Sequence, residues 1–174
     1  MATAQPSRPR RGATRDIRYE VPLKAAPERV YAALTSAREL TRWWLSGAET
    51  DARNAGRLRL VWPRSGAAAG FGEREGFFVD LEPGRKVAWM WKPARGEKGV
   101  PPLSSFFINP RLKNCEVSLL HAGFAASADG LYDRYARGWE DCVAKLKLYI
   151  ETGKTCKDEV IDLETARILS RRKR

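Results

Sequence analysis

The order of two patterns constrains the fold of this sequence most strongly: a series of strand-like segments precedes one long helical segment. From residue 48 to residue 121, apolar and polar residues alternate in short stretches, which predicts an antiparallel meander. From residue 130 to residue 152, apolar residues follow helical spacing, and Gly153 is placed to end the helix. We therefore predict an α+β fold in which a sheet of roughly six or seven strands carries one long helix on its concave face.

The part of the chain before the meander predicts one strand and two short helices. Residues 16–23 alternate as a half-buried strand does, and Pro22 indicates an edge position or the end of that strand. Helical spacing then covers 27–35 and 37–44, with the hydroxyls of Thr35 and Ser36 available to cap the second helix. Two short helices should therefore follow the first strand.

Within the meander, the last strands and the longer loops can also be placed. Strands are predicted at about 102–109 and 112–122, joined through Asn109-Pro110. The segments 63–72 and 92–100 are rich in Gly, Ala, Pro and Lys, which is typical of loops.

Charge and composition divide the chain into a domain with two basic ends. We expect a disordered leader at residues 1–15, one domain at 16–153 and a basic C-terminal extension at 154–174. The leader carries +4 and the extension +3 of the net charge of +11, which leaves +4 for the domain. Because the domain has no recognisable reader motif, specific nucleic-acid binding is not expected.

The C-terminal extension has an apolar side that needs a partner. It either docks on the domain as a short helix, which is the favoured interpretation, or it binds another protein. The apolar residues concerned are Val160, Ile161, Leu163, Ile168 and Leu169.

Several classes of protein and site are not expected. Cys115, Cys142 and Cys156 are widely spaced and His121 is the single histidine, so neither a metal site nor another cofactor is predicted. No apolar run is long enough to span a bilayer, and no secretory signal precedes the domain, so a cytoplasmic protein is expected. A monomer or a homodimer is expected as its oligomeric state.

A set of short phrases between residues 17 and 153 then points to a family. They are Val21–Thr35, Leu40–Trp44, Gly76 with the strand ending at Glu82-Pro83, Val87–Trp91, Leu119–Phe124, and Gly138-Trp139 leading to Leu146–Tyr149. In this order they resemble the AHSA-like family, named for homology to an activator of the heat-shock chaperone ATPase, within the SRPBCC or START-like superfamily. The resemblance implies a helix-grip fold, in which a curved sheet wraps around the long helix and leaves a cavity between them.

The cavity wall is predicted from the strand alternation and the helix face. Aromatic and aliphatic walls suit a small hydrophobic ligand, although the same side chains could simply fill the core. The predicted ligand-binding residues are Leu58, Leu60, Trp62, Phe77, Val79, Trp89, Trp91, Phe106, Ile108, Val117, Leu119, His121, Trp139, Cys142, Val143 and Leu146.

A few residues have a second interpretation. His121 is a candidate for acid–base chemistry or ligand orientation, but a structural histidine is favoured because no catalytic partner is identifiable. Trp43 and Trp44 are expected on different sides of their helix, one in the core and the other packed on a loop or at the cavity entrance. Glu73 and Glu75 are either polar groups at the cavity mouth or a solvated strand end.

Three hypotheses for the function follow, from different classes. The first is a protein that binds a small hydrophobic molecule between sheet and helix, without catalysis or with only weak catalysis. The second is a chaperone-linked interaction or stress-response protein, which could use its C-terminal extension. The third is an enzyme of the cyclase or hydrolase kind, ranked last because no nucleophile–base pair is visible.

Overall fold

The computed structural model describes residues 12–65, 69–93 and 98–171. Within these residues the chain forms seven strands and four α-helices, with a short 3-10 turn at Ala69–Phe71. In chain order they are β1 (Thr14–Leu23), α1 (Pro27–Thr35), α2 (Ala37–Trp43), β2 (Gly47–Thr50), β3 (Arg57–Val61), β4 (Glu73–Glu82), β5 (Lys86–Trp91), β6 (Leu103–Arg111), β7 (Asn114–Ala125), α3 (Asp129–Thr152) and α4 (Leu163–Arg171).

The strands form one antiparallel sheet in the order β1-β7-β6-β5-β4-β3-β2. From β2 to β7 each strand pairs with the next one along the chain, and β1 returns to the edge beside β7. The predicted meander, the two short helices and the long helix are therefore confirmed. Pro22, which cannot donate a backbone hydrogen bond, lies on the edge strand as expected.

Two boundaries of the prediction are wrong. Strand β1 begins at Thr14, so the last residues of the predicted leader belong to the sheet, while residues 1–11 lie outside the described residues. Asn109 and Pro110 do not join β6 to β7 but lie within β6, opposite Glu116 and Cys115. The turn falls three residues after Asn109, at Leu112, whose φ is 46°. Pro110 is tolerated near a strand end, where few ladder hydrogen bonds are lost.

The helices α1 and α2 begin with the residues that the sequence favours. Pro27 is the first residue of α1, where its missing N–H costs nothing, and Ser36 caps α2 by accepting a hydrogen bond from the backbone N–H of Glu39 at 3.5 Å. Trp44 lies just beyond α2, with φ −129° and ψ −48°. Because the backbone leaves the helix there, the rings of Trp43 and Trp44 stack at 5.4 Å instead of pointing to different sides.

Helix α3 lies across the concave face of the sheet and closes the core. Its buried residues run without interruption from Asp141 to Tyr149, and Gly153 ends it in the left-handed conformation, with φ 73°. The Nζ of Lys147 donates to the carbonyl of Pro22 at 2.8 Å, which ties the helix to β1. Within the described ranges, no helix has both the length and the apolarity needed to cross a bilayer.

The C-terminal extension docks on the outer side of α3. Ile161 and Ala166 pack with Ala144 and Leu148 of α3 in a small second core. The carboxylate of Asp141 accepts a hydrogen bond from the backbone N–H of Ile161 at 3.0 Å. Leu163 and Leu169 also pack here, whereas Val160 and Ile168 of the predicted apolar side remain exposed.

Candidate functional site

A cavity of about 320 Å³ lies between the first half of α3 and the ends of β3, β4 and β5. The walls are mainly aromatic and are completed by the loop that precedes β6. The described lining residues are Trp44, Trp62, Phe71, Arg74, Trp91, Lys92, Pro93, Gly99, Val100, Pro101, Pro102, Tyr135, Gly138 and Trp139. This volume is at the lower end of the range for small-molecule sites, roughly 300 to 1,000 Å³.

The position of Gly138 on α3 allows the cavity wall to close around Phe71. A Cβ atom at Gly138 would lie 3.0 Å from Cε2 of Phe71, which is tighter than an ordinary van der Waals contact. A glycine costs a helix about 1 kcal/mol relative to alanine. The helix therefore gives up some intrinsic stability where it passes over the Phe71 ring.

The aromatic rings of the cavity form one connected network. The Trp44 and Trp62 rings meet edge to face at 5.4 Å, and Trp44 lies 6.3 Å from Trp139. Phe71 meets Tyr135 of α3 edge to face at 4.8 Å. Offset and edge-to-face ring pairs of this kind are favourable, so the rings support one another from the positions just after α2 and β3, from the 3-10 turn and from α3.

The four indole N–H groups around the cavity differ in their hydrogen bonding. Trp91 donates to Oγ of Ser104 at 3.0 Å, and Trp139 donates to Nδ1 of His121 at 2.9 Å. The N–H groups of Trp44 and Trp62 are buried and have no hydrogen-bond partner in the described part of the chain. A buried donor without a partner costs about 1–3 kcal/mol, so both N–H groups would gain from an acceptor beyond those that the described residues provide.

His121 supports the cavity wall without lining it. Its Nδ1 accepts from Trp139, so Nε2 carries the proton and donates to the carbonyl of Pro101 at 2.7 Å. Burial lowers the pKa of His121, which keeps the ring neutral. Both ring nitrogens are thus used to hold two lining residues, one on α3 and one on the loop before β6.

The sequence-predicted wall residues fall into three groups. Trp62, Trp91 and Trp139 line the cavity. The largest group is buried in the core beside it: Leu58, Leu60, Trp89, Phe106, Ile108, Val117, Leu119, His121, Cys142, Val143 and Leu146.

Phe77 and Val79 form the third group, and their predicted inward orientation is wrong. The buried positions of β4 are Gly76 and Phe78, whereas Val79 is 38% exposed and Phe77 lies under the Lys92 ammonium on the outer face. Because Phe77, Phe78 and Val79 are all apolar and Gly76 has no side chain, the alternation does not reveal which set faces inward.

Several lining residues were not predicted as ligand-binding. Tyr135 and Gly138 lie in the segment that was predicted as the long helix, and Trp44 was already a candidate for the entrance. Phe71, Arg74 and Lys92 had no such signal, because the first lies in a predicted loop and the other two are charged residues at strand ends.

Glu73 and Glu75 are ion-paired beside the cavity and do not belong to its described lining. Glu73 binds Arg59 at 2.6 Å and Glu75 binds Lys92 at 2.7 Å. Hydrogen bonds from these cations lower the pKa of each carboxyl group. Among the described residues, no cluster of His, Cys, Asp and Glu side chains is arranged to hold a metal ion.

Solved structures from three bacteria share this fold. The Aha1 dimer from Colwellia psychrerythraea gives a TM-score of 0.67 at 20% identity, over 80% of this chain and 98% of that one. A protein from Staphylococcus saprophyticus gives 0.67 at 15% identity, over 84% and 98%. CalU16 from Micromonospora echinospora gives 0.61 at 17% identity, over 91% and 83%. At such identities the likeness shows the fold alone.

Comparison at the level of sequence gives the family. No curated protein matches this chain. The family model described as "Activator of Hsp90 ATPase homolog 1-like protein" matches residues 24–151, from the end of β1 to the end of α3. The match covers well over half of the chain and includes every element around the cavity, so this protein belongs to the family of proteins that resemble activator of Hsp90 ATPase homolog 1.

Proposed function

We propose that this protein binds a small hydrophobic molecule in the cavity between α3 and the sheet. The observation that carries the proposal is the aromatic cavity of about 320 Å³ with two buried indole N–H groups that have no partner among the described residues. Apolar walls supply affinity by removing ligand surface from water, and a few polar groups fix the orientation.

The position of the cavity supports binding rather than simple packing. Nearby, α3 is closely packed, and all its residues from Asp141 to Tyr149 are buried. Protein interiors are normally close-packed, as the second half of α3 is. The cavity beside the first half therefore is not the result of loose packing along the whole helix. The rings around the cavity are held by hydrogen bonds and ring contacts, so the space is built into the fold.

The first experiment compares ligand binding with the cavity open and filled. Native mass spectrometry of the freshly purified protein identifies any bound molecule, and thermal-shift screening with fatty acids, aromatic compounds and isoprenoids tests added ones. A ligand at about one hundred times its Kd should add about 2.7 kcal/mol to the free energy of unfolding. Absence of binding in every class contradicts the proposal.

Two variants of α3 make the experiment specific to the cavity. Gly138→Leu places a large side chain against Phe71 and should abolish binding. Gly130→Leu is the matched control, because an added Cβ atom there meets no described atom within 4 Å. Equal binding by both variants would place the ligand elsewhere.

A second candidate is a chaperone-linked interaction role, supported by the family itself. The specific observation that favours it is the exposed part of the extension, where Val160 is 64% exposed and Ile168, which follows Arg167 in α4, is 45% exposed. Replacing both apolar residues with Ser should then reduce ATPase stimulation of an Hsp90 chaperone while leaving ligand binding intact. Unchanged ATPase stimulation by this double variant would contradict the interaction role and leave the ligand-binding function as the better supported one.

Catalysis by His121 is the least supported of the three functions. Both of its ring nitrogens are engaged by protein groups, and the residue is fully buried behind Trp139. A general acid or base needs a nitrogen within hydrogen-bond reach of the reacting group. In this proposal, His121 positions the wall and takes part in no reaction.

A further inference from the structure

We propose that the C-terminal extension positions one wall of the cavity, the wall formed by Trp44 and Trp62, and that Lys157 is the positioning residue through which it acts. The effect on ligand affinity rests on the proposed function. The extension is a part of the chain that the family model does not include, because the matched region ends at residue 151.

Lys157 reaches from the extension to the end of α2. Its Nζ atom donates to the carbonyl of Thr41 at 2.9 Å and to the carbonyl of Leu45 at 3.5 Å. Trp44 lies between these two residues in the chain. The Lys157 ammonium therefore holds the backbone on both sides of the residue that carries a wall indole.

The end of α2 needs a donor at this position. The backbone N–H groups of Trp44 and Leu45 both donate to the carbonyl of Leu40, at 3.0 and 2.9 Å. In a regular α-helix, the Leu45 N–H would donate instead to Thr41, four residues earlier. The Thr41 carbonyl thus loses its intrahelical donor, and the Lys157 ammonium supplies one.

The residue after Lys157 contacts the second segment of the wall. Asp158 accepts a hydrogen bond at 3.0 Å from Oγ of Ser65, which lies three residues after Trp62. The Trp62 and Trp44 rings meet edge to face at 5.4 Å, and both line the cavity. Two adjacent residues of the extension therefore hold the two chain segments that place these rings. We expect the larger contribution from Lys157, because its contact is partly buried and that of Ser65 is exposed.

The backbone of Lys157 is itself fixed to α3. Its carbonyl accepts a hydrogen bond from Nζ of Lys145 at 3.1 Å, and Lys145 is ion-paired with Asp141 at 2.7 Å. The side chains of this ion pair are at most 3% exposed, so water competes little for them. Lys157 therefore connects a closely packed part of α3 to the end of α2.

A fixed wall favours binding, because fewer groups have to be ordered when a ligand enters. Without the Lys157 ammonium, the residues that follow α2 lose a hydrogen bond that holds their backbone, and the Trp44 ring gains freedom. A ligand then has to restrict that freedom, which lowers its affinity. By linkage, a bound ligand stabilises the docked extension by the same factor.

The test measures the wall and the ligand affinity in the same variants. Lys157→Met removes the ammonium group and keeps a side chain of similar length, whereas Lys157→Arg keeps the cation and its N–H donors. The indole N–H resonances of Trp44 and Trp62, assigned by NMR with Trp44→Phe and Trp62→Phe, report on the wall. Fluorescence titration with the neutral probe N-phenyl-1-naphthylamine reports on affinity.

We expect Lys157→Met to shift both indole resonances and to weaken probe binding by about five-fold, at the lower end of the usual range for coupled sites. Lys157→Arg should keep both readouts close to those of the wild type. Lys154→Met is the matched control, because Lys154 belongs to the same extension and is exposed, and it should change neither readout. All titrations are made on protein that circular dichroism shows to be folded, so a loss of stability alone does not alter the affinity.

The role of Lys157 is overturned if Lys157→Met retains the wild-type probe affinity or the wild-type indole resonances, or if Lys154→Met loses as much affinity. The cavity function then stands, because the wild type binds the probe. If the wild type does not bind the probe, the cavity function fails for this class of ligand, and the indole resonances alone decide the role of Lys157. Unshifted Trp44 and Trp62 resonances in Lys157→Met would then overturn it, and shifted resonances that Lys157→Arg restores would support it.

Discussion

The two halves of α3 have the same sheet beneath them and different surroundings. In the first half, residues 129–140, Tyr135, Gly138 and Trp139 border a cavity. In the second half, residues 141–152, every side chain up to Tyr149 is buried, because the sheet covers one side and the C-terminal extension covers the other. One helix is therefore tightly packed at its C-terminal end and forms a cavity wall at its N-terminal end.

The second half is fixed by buried charges as well as by apolar packing. Asp141 and Lys145 form an ion pair at 2.7 Å, with side chains only 2% and 3% exposed. Lys145 also donates to the carbonyl of Lys157 at 3.1 Å. Burial raises the pKa of Asp141, although hydrogen bonds from Lys145 and Ile161 act in the opposite direction. The extension is therefore tied to α3 by polar contacts that water cannot easily replace.

The largest effect on the free energy of unfolding is expected from Asp141→Ala, which disrupts the buried ion pair in the second half of α3. The change leaves the Lys145 ammonium buried without its carboxylate and removes the acceptor for the Ile161 N–H. Loss of one partner from a buried pair costs about 3–5 kcal/mol of the free energy of unfolding. Urea denaturation measures it, and Asp133→Ala on the exposed side of the first half is the control, expected to change little. Equal losses of stability in Asp141→Ala and Asp133→Ala would contradict the conclusion that the second half of α3 is the more tightly fixed one.

The adjacent residues Trp43 and Trp44 face different halves of α3. Trp43 stacks near Tyr149 and donates to the carbonyl of Ala33 at 3.1 Å, whereas Trp44 lies near Trp139 and its N–H has no described partner. Trp43→Phe should therefore lower the free energy of unfolding by about 1–3 kcal/mol more than Trp44→Phe.

Denaturant unfolding of the two phenylalanine variants, side by side, provides the measurement. Both changes remove the same atoms, so the loss of apolar surface is similar and the difference reports the hydrogen bond. A larger loss for Trp44→Phe would mean that its indole N–H has a partner in solution.

A smaller change in the free energy of unfolding is expected from pH. It comes from His121, which supports the cavity beside the first half of α3. Burial lowers the pKa of His121 below its ordinary value of 6.5, so the unfolded chain binds a proton that the folded protein does not. The His121 contribution is complete above about pH 6.5 and is lost as the pH falls towards the folded pKa, by up to about 1.4 kcal/mol per pH unit.

The difference between the wild type and His121→Gln isolates this effect. Glutamine can donate to Pro101 and accept from Trp139 but does not titrate, so its unfolding free energy should lack the His121 dependence. Unfolding curves measured from pH 7.5 to pH 5 show the difference directly. If the free energies of unfolding of the wild type and His121→Gln changed with pH in parallel, the pKa of His121 would be the same in the folded and unfolded states.

The smallest change in stability is expected from Gly138→Ala. Alanine adds about 1 kcal/mol of helix propensity, which the 3.0 Å approach to Phe71 offsets, so the net change should stay below about 1 kcal/mol. Ligand affinity should nevertheless fall, because Phe71 is displaced towards the cavity. Thermal denaturation and calorimetry separate the two readouts, and wild-type affinity in the variant would show that Gly138 does not define the wall.

Much of the fold could be predicted because local patterns and tertiary contacts agree there. The alternation in β1, the capping Ser36 and the terminating Gly153 each appear where the structure uses them. The pattern failed where it is symmetric or interrupted. Phe77 to Val79 is apolar on both faces, and Pro110 occurs inside β6 because its position near the strand end tolerates the missing N–H.

The candidate site could be predicted only in part, because a wall and a core have the same composition. Trp89 and Trp91 are two residues apart on β5, with nothing in the sequence to show that the first is fully buried and the second borders the cavity. The buried Lys145 was also not predicted as a core residue, since lysines are rarely buried. Its burial depends on Asp141 and on the extension that folds over it.

The class of fold, the order of its elements and the family follow from local patterns, because periodicity and turn residues act over a few neighbouring positions. The place of the cavity, the indoles without a partner among the described residues and the attachment of the extension to α3 depend instead on tertiary contacts. These features depend on groups more than 15 residues apart, such as the Trp139 and His121 rings, or the Ile161 backbone N–H and the Asp141 carboxylate, and no local pattern encodes their distance. Only the assembled sheet and helix bring them together.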